Sequence, residues 1–433
     1  MKIAILGGGI SGVAAARFLV DAGHSVTVFE KDREPGGLVR SDTVNGYVFD
    51  RAGGHILFTK NDWCRNFMHG HYGPGELVAT RRDTKILFKG RWVHYPFENG
   101  LGDLELDDRI ACLKGYIDAY VARKGGAPTP RDFRGWIDHR MGAGIAELFM
   151  VPYNEKIWKA DLRDVGIDWV EGRVPDAPLE DVLRAALGQR VEGYTHQLNF
   201  HYPRTGGFQD LYDRMAAPLG KALVTTVEVK SVEKKGEHYD VDGTAFDRVI
   251  STIPLPALAD VLRGLSSEAR AAAKALRHRS LTSILFGIDR ESVKPYSWIY
   301  LPHASQGPAN RITFLSNYSP ANAPAGRGSI LAEVTHAGPL SITQAWLDDL
   351  RDAFHREGLL RKDAVDLVHH FQNEWAYILF DPDFTRKRRT AIDGIEALGV
   401  LPLGRFGRFD YFNSDQCVIA ARATVDRLLA DAR

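Results

Sequence analysis

Apolar and polar positions along the chain fall into blocks whose spacing predicts strand and helix in turn. Residues 2–6 (KIAIL) are a near-continuous apolar run of strand length, the pattern of a strand buried on both faces. GGGISG follows, then an apolar-periodic helix ending near Gly23, then a second strand over 25–30 (SVTVFE). Such a strand–helix–strand opening belongs to a parallel sheet. From about 100 to 190 the period changes. LDDRIACLKGYIDAYVARKG and RDFRGWIDHRMGAGIAELFM place apolar residues three and four apart, which predicts helices. Strand patterns return at 222–253 as strand, hairpin, strand, and at 280–335 in LTSILFGI, WIYLP, RITFLS and SILAEV. Segments 340–371 and 415–432 read as largely helical, with His369-His370 on a strand-like run.

Composition narrows the partners. At 433 residues the chain can bury a large core without disulfide or metal staples. Its 44% apolar and 25% charged residues exclude a mostly disordered chain. Lys+Arg and Asp+Glu both number 55, so no global field attracts nucleic acid or an anionic membrane. An anionic ligand must then be held by a few local arginines or by backbone amides. Cys64, Cys112 and Cys417 show no CxxC spacing, which argues against a disulfide framework or zinc knuckle and for a cytoplasmic setting. Glycines interrupt the N-terminal apolar run, and no stretch reaches the roughly 18 apolar residues of a membrane helix. The expectation is a soluble protein. His69-Gly70-His71 without a third ligand reads as a loop, and the basic run Arg386–Arg389 as a solvated face. No GxSxG, HExxH or P-loop pattern supports hydrolase or nucleotide-triphosphate chemistry.

The chemistry-bearing signature is Gly7-x-Gly9-x-x-Gly12 between the first strand and helix, with Glu30 closing the second strand. Gly7 permits the tight turn, Gly9 admits a pyrophosphate, and Gly12 lets helix and strand pack closely. The helix N-terminus offers free N–H groups to phosphates, and Glu30 suits a ribose diol without a 2′-phosphate. FAD is preferred over NAD because further glycine pairs follow in order. They are Gly36-Gly37, just after the second strand, and Gly53-Gly54 beside His55. DRVISTIP and GRFGRFDYFNSDQ, late in the chain, are further segments of this kind. Gly7, Gly9, Ser11, Gly12, Glu30, Gly36, Gly37, Leu38, Gly54, His55 and Val227 are the candidate cofactor contacts.

These blocks resemble the flavin-containing amine oxidase and mutase superfamily. Within it, the chain resembles the UDP-galactopyranose mutase family, eukaryotic-type form. The resembling blocks run through nearly the whole length: GGHILF, WVHYPFEN, GWIDHRMGAGIAELFMVPYNEKIW, GRV (172–174), FHYPRTGGF, WIYLP, RITFLSNYSPANAP and GRFGRFDYF. The resemblance implies an α/β fold: a Rossmann-like FAD-binding domain interleaved with a helical domain and a small β-sheet domain. The expected intervals are 1–98 and 191–272 for the cofactor domain and 99–190 for the helical substrate domain. Residues 273–340 would form an antiparallel sheet, and 341–433 the C-terminal helices with a final cofactor segment.

The resemblance also implies roles. Arg173 and Arg311 would clamp a substrate diphosphate, with Tyr318 and Tyr411 donating hydroxyls to it. Asn154 and Trp158 would border the sugar. Tyr95, Phe97 and Glu98 would face the nucleobase, with Trp298, Tyr300 and Tyr377 on the substrate side. His55 would lie on a loop beside the isoalloxazine, and Arg405, Asp415 and Gln416 would contact the flavin. The implied activity interconverts pyranose and furanose forms of a nucleotide sugar, reduced flavin N5 forming an adduct with the sugar. NAD(P)H is the expected transient reductant, and self-association is compatible with the sequence. The residues agree in type, since Arg binds phosphate through a planar fork and Tyr or Trp offers a stacking face with a polar tip. Glu98 stands where the family places a Gln facing uracil. An ionised carboxylate only accepts hydrogen bonds, so it suits the adjacent N–H donors of guanine, making a GDP-sugar the leading alternative. Solvent exposure, or pairing with a cation, would instead make Glu98 a bystander. The rival activities are an amine oxidase-type FAD-dependent oxidoreductase and a non-catalytic flavoprotein.

Overall fold

In a computed structural model, residues 1–170, 173–174, 177–192 and 198–431 are described. Gly172 of the GRV block lies outside them. The opening unit is β1 (Lys2–Leu6), α1 (Ile10–Asp21) and β2 (Ser25–Phe29). Further along are β3 (Thr84–Phe88), β4 (Arg91–His94) and the helices α2 (Leu106–Lys124), α3 (Phe133–Ile145) and α4 (Val151–Trp158). The chain then returns to strands β5 (Leu223–Val224), β6 (Arg248–Ser251), β7 (Arg277–Asp289), β8 (Trp298–Tyr300), β9 (Arg311–Thr313) and β10 (Arg327–His336). It closes with β11 (Leu367–Leu379), β12 (Leu401–Pro402) and α5 (Ser414–Asp431).

One sheet has the order β12-β6-β1-β2-β5, every pair parallel. Its central strand is apolar throughout the buried part: Ile3, Ala4, Ile5 and Leu6 are all buried, as a strand covered on both faces requires. This is the mixed α/β architecture with a dinucleotide-type core that the opening pattern predicts. The second sheet has the order β11-β7-β10-β9-β8-β3-β4, antiparallel except for β8 against β3. It is larger than the interval 273–340, drawing β3 and β4 from before the helical segment and β11 from after it.

The helical expectation for 340–371 is corrected at its end. Helix occupies Gln344–Arg356, but Leu367–Leu379 is a 13-residue strand. Over His370, Gln372 and Glu374 polar residues alternate with Phe371, Asn373 and Trp375, and exposure alternates with them. That period of two is a half-solvated edge strand. The basic run lies on the helix Phe384–Ala397, where Arg386, Lys387, Arg388 and Arg389 each pair with an aspartate. Cys64, Cys112 and Cys417 are free and buried. Among the described residues, no helix is long and apolar enough to cross a membrane.

Candidate functional site

The glycine signature builds a cradle at the start of α1. Gly7 has φ +99°, and a Cβ there would lie 2.5 Å from Thr252 Oγ1, so the turn accepts only glycine. A Cβ on Gly12 would sit 2.1 Å from the Gly7 carbonyl oxygen, whereas one on Gly9 would meet nothing within 4 Å. Gly9 therefore leaves an open approach to the unpaired amides of the first turn. Gly36 N donates to Gly8 O at 3.1 Å, which folds the second glycine pair onto the first. Leu38 follows in the short turn Gly37–Val39, half-buried. The Glu30 carboxylate accepts from the amides of Gly8 (2.8 Å) and Asp32 (2.9 Å). It is thereby fixed, with lone pairs left over for ribose hydroxyls. Val227 N donates to the Glu30 carbonyl at 2.9 Å. The GRFGRFDYF segment closes over Ser11, where a Cβ on Gly404 would come within 2.4 Å of Ser11 Oγ. Asp415 and Gln416 open α5; Gln416 Oε1 accepts from Asn413 N, a helix-capping contact. An open helix start, a held acid and a glycine-lined approach fit a bound dinucleotide.

The second sheet supplies a face of opposite character. Tyr300, Arg311, Glu333 and Ser283 are direct cross-strand partners in a row over β8, β9, β10 and β7, so they share one face. Arg311 grips fully buried Glu333 bidentately, Nε–Oε1 at 2.7 Å and Nη2–Oε2 at 2.8 Å. The Arg311 side chain keeps 27% exposure and three unused N–H donors. Gly53 N donates to Ser283 Oγ at 3.1 Å, and a Cβ on Gly53 would collide with the Glu333 carboxylate at 2.7 Å. Gly53 of the GGHILF block is thus dictated by the buried acid behind it, and Gly54 by Thr313, whose Cγ2 would lie 2.6 Å from a Cβ there.

Two more guanidinium groups gather at Tyr411. Arg405 lies 4.3 Å and Arg173 4.4 Å from its ring centroid. Arg405 donates to Phe412 O (2.8 Å) and Ala376 O (3.0 Å), and Arg173 donates to Tyr411 O. Tyr377 bridges the groups: its hydroxyl is 3.5 Å from Glu333 Oε2 and its ring 6.0 Å from the Arg405 guanidinium. On the other side Tyr300 meets Tyr95 (5.1 Å) and Tyr153 (5.2 Å), ring centroid to ring centroid. Burial raises the Tyr153 and Tyr377 hydroxyls above their usual range, so they remain protonated donors. His55 is pulled down to about 4 by burial and then by the Arg311 charge, which leaves its imidazole neutral at physiological pH.

Several expected contacts are walls rather than surfaces. Phe97 is fully enclosed, stacked on Phe149 at 4.8 Å and edge-on to Phe88, so a nucleobase cannot touch it in this conformation. Trp158 is buried against Trp169 and Tyr411. Tyr318 is closed in by Phe200 and Tyr202, which removes it from direct phosphate contact here. Trp298 is buried and donates its Nε1–H to Tyr300 Oη at 3.1 Å, orienting that hydroxyl. Asn154 spends its amide on Met150 O at 2.7 Å, bracing the π-turn ahead of α4. Glu98 is 2% exposed, so it does not turn to solvent. Arg311, expected to clamp a diphosphate, is paired bidentately with Glu333, which fixes its direction.

Sequence reasoning missed Glu333, Tyr153 and Asp50. The signal for Glu333 was a lone acid inside the apolar strand SILAEV. Tyr153 stood next to two residues chosen from PYNEKIW. Asp50 is fully buried and accepts from Ser41 Oγ (2.5 Å), Tyr202 Oη (3.0 Å) and His55 N (3.3 Å). It ties the His55 segment to the strand Asn199–Pro203.

A dinucleotide cradle of this build on the parallel sheet, with an arginine- and tyrosine-rich cluster on the second sheet, defines a flavoprotein of the two-sheet oxidoreductase type. Residues 5–69 match the NAD(P)-binding Rossmann-like domain, and residues 171–397 match the flavin containing amine oxidoreductase family. The chain belongs to that amine oxidoreductase family. It superposes on a crystal structure of reduced UDP-galactopyranose mutase with a TM-score of 0.91 at 25% identity, over 99% of this chain and 95% of that one. A putative protoporphyrinogen oxidase from Exiguobacterium sp. 255-15 shares the fold at 16% identity, TM-score 0.77, with 99% of each chain covered. Two curated relatives match over short segments. An uncharacterized protein in the nifH2 3′ region of Methanothermococcus thermolithotrophicus is 47% identical over 62 residues, 14% of this chain. A 4,4′-diapophytoene desaturase of Staphylococcus aureus is 44% identical over 50 residues, 12% of this chain. The matches span 59% and 10% of those two proteins.

Proposed function

We propose that this protein is an FAD-dependent mutase that interconverts the pyranose and furanose forms of a nucleotide-linked sugar. The observation that carries the reading is the cleft's charge pattern: Arg311, Arg173 and Arg405, framed by tyrosines, with the nearby acid already committed to Arg311. Such a set suits a diphosphate, which needs fixed cations and hydroxyl donors. An amine oxidase-type reaction on a cationic amine would meet like charge there. The overall likeness to the mutase structure supports the same reading.

When bound in its reduced form, the flavin would supply the electron pair that displaces the nucleoside diphosphate from the anomeric carbon. The chain's own residues do the rest. Arg311, held rigid by Glu333, and Arg173 neutralise the diphosphate and keep the departed group in place for its return. Tyr377 and Tyr411 border these guanidinium groups. Neutral His55 can exchange a hydrogen bond without adding a charge that would compete for the phosphates. The aromatic group Tyr95, Tyr153 and Tyr300 offers a stacking surface for the base. Glu98, three residues beyond Tyr95 and buried, would favour a base that presents adjacent N–H donors if substrate binding uncovers its carboxylate, so GDP is expected to bind ahead of UDP. Competition of UDP, GDP, CDP and dTDP, read from the flavin absorbance, tests this on wild type and Glu98→Gln. A GDP preference of tenfold or more that Glu98→Gln erodes supports base reading by the carboxylate; a UDP preference untouched by Glu98→Gln overturns it.

A further inference from the structure

Two kinds of element meet at the aromatic group of Tyr95, Tyr153 and Tyr300. Tyr300 lies on β8, which is bonded on one side to β9 and on the other to β3. Tyr153 lies on α4, outside those ladders, so side chains must place it. The two rings nevertheless stand edge to face with centroids 5.2 Å apart. Lys156 is three residues along α4 from Tyr153, on the same side of the helix. It is buried, at 7% exposure. Its Nζ donates to Leu301 O at 2.9 Å and His303 O at 3.0 Å, two carbonyls just past the end of β8. The receiving turn is itself held. Gln306 Oε1 accepts from His303 N at 2.9 Å, and Gln306 Nε2 donates to Leu87 O on β3 at 2.9 Å. An apolar side chain would fill this space without the cost of burying an amine, so what Lys156 adds is a directed link.

The acceptors also fit one protonation state. Two carbonyls match the two N–H of a neutral amine, whereas an ammonium carries a third. Among the described residues that third N–H has no acceptor. Burial, then the Lys159 charge on the same helix, brings Lys156 down to about 7, with Glu357 opposing. His303, the imidazole at this junction, is lowered by burial and then by Lys156 and Lys89, again against Glu357. We propose that Lys156 is a positioning residue: its amine pins α4 to the exit of β8 and so sets the Tyr153 ring against Tyr300, where the nucleobase stacks. Charging the amine loosens this link, because the extra N–H draws water into the junction. The proposal rests on the nucleotide reading given above.

Calorimetric titration of the flavin-loaded protein tests it, from about pH 6 to about pH 9. The probes are UDP-, GDP-, CDP- and dTDP-linked glucose, whose diphosphate diesters do not titrate in that range. Lys156→Met, close in shape and without N–H, should weaken binding about tenfold or more with flavin content unchanged. Lys156→Gln, whose amide carries two N–H on a stem one bond shorter, should recover part of that loss. Wild-type affinity should fall as pH drops through about 7, and both variants should lack that step. Where Lys156→Met does not fold, Lys156→Gln alone carries the pH comparison. Wild-type affinity in Lys156→Met overturns the proposal, as does a pH step that the variants retain. A wild type that binds none of the four overturns the nucleotide reading and the proposal with it, a result distinct from equal binding by wild type and variant.

Discussion

Replacing Arg311 by Ala would remove more than a ligand contact, because it strands Glu333, which is 0% exposed, beneath a cleft. The pair has two charge-assisted hydrogen bonds, at 2.7 and 2.8 Å. At about 1.5–3 kcal/mol each, they agree with the roughly 3–5 kcal/mol lost when one partner of a buried pair is removed. Arg311→Ala should therefore destabilise the protein by about 3–5 kcal/mol. Glu333→Ala should cost nearer the lower end, about 3 kcal/mol, because the Arg311 side chain retains access to water. Arg311→Met combined with Glu333→Leu replaces the pair by apolar groups and should return within about 1 kcal/mol of wild type. The double variant should fold and hold flavin, yet bind the sugar nucleotide about 2–5 kcal/mol more weakly. Equilibrium urea unfolding, followed by both tryptophan emission and flavin release, gives the stability once the two transitions coincide. Titration with the nucleotide sugar gives the affinity. Additive single-variant costs would refute the coupling, and wild-type affinity in the double variant would refute the phosphate role of Arg311.

The Asp50 carboxyl is raised to about 6 by burial, against the partial relief of its hydrogen bonds. A raised carboxyl adds stability that is full below its unfolded value and is lost as pH rises through about 6. Wild type relative to Asp50→Asn should thus gain about 2.4 kcal/mol of unfolding free energy from pH 8 to pH 4; a flat difference contradicts this. Gly53→Ala forces a Cβ to within 2.7 Å of the Glu333 carboxylate at φ +85°. It should displace the His55 segment and lower the melting temperature, whereas an unchanged melting curve would show that the segment yields. Arg173→Ala should weaken nucleotide-sugar binding by about 2–5 kcal/mol while flavin content stays at wild-type level; equal affinity removes Arg173 from the clamp. Gly12→Ala, pressed against Gly7 O, should abolish flavin retention on gel filtration, and a yellow variant would contradict the cradle.

What the sequence made legible was what a short window encodes. Gly7, Gly9, Gly12 and Glu30 lie within two dozen residues, and their conformational demands are local. The parallel sheet could be read from KIAIL and SVTVF for the same reason. The cleft is different, because Tyr300, Arg311, Glu333 and Ser283 meet only through the register of four strands. No single window shows that Glu333 is the partner of Arg311, or that Gly53 is small because of it. Burial is also a tertiary property. Phe97, Trp158 and Tyr318 have the composition of ligand-binding residues, yet packing by Phe149, Trp169 and Tyr202 encloses them. The strand Leu367–Leu379 agrees with the strand-like run at His369-His370; only its first residues fall in the segment whose pattern predicts helix, and LV is too short to separate a period of two from one of three to four.

Turnover by the reduced protein decides between the mutase and oxidase readings. The flavoprotein would be reduced anaerobically, incubated with a panel of UDP-, GDP-, CDP- and dTDP-linked pyranoses, and the products separated and assigned by NMR. At least one should be converted to an equilibrium mixture with its furanose isomer. The oxidised protein should leave all of them unchanged, and no stoichiometric reductant should be consumed. Absence of any isomer across the panel, with flavin reduced by an amine and reoxidised by oxygen to peroxide, would contradict it.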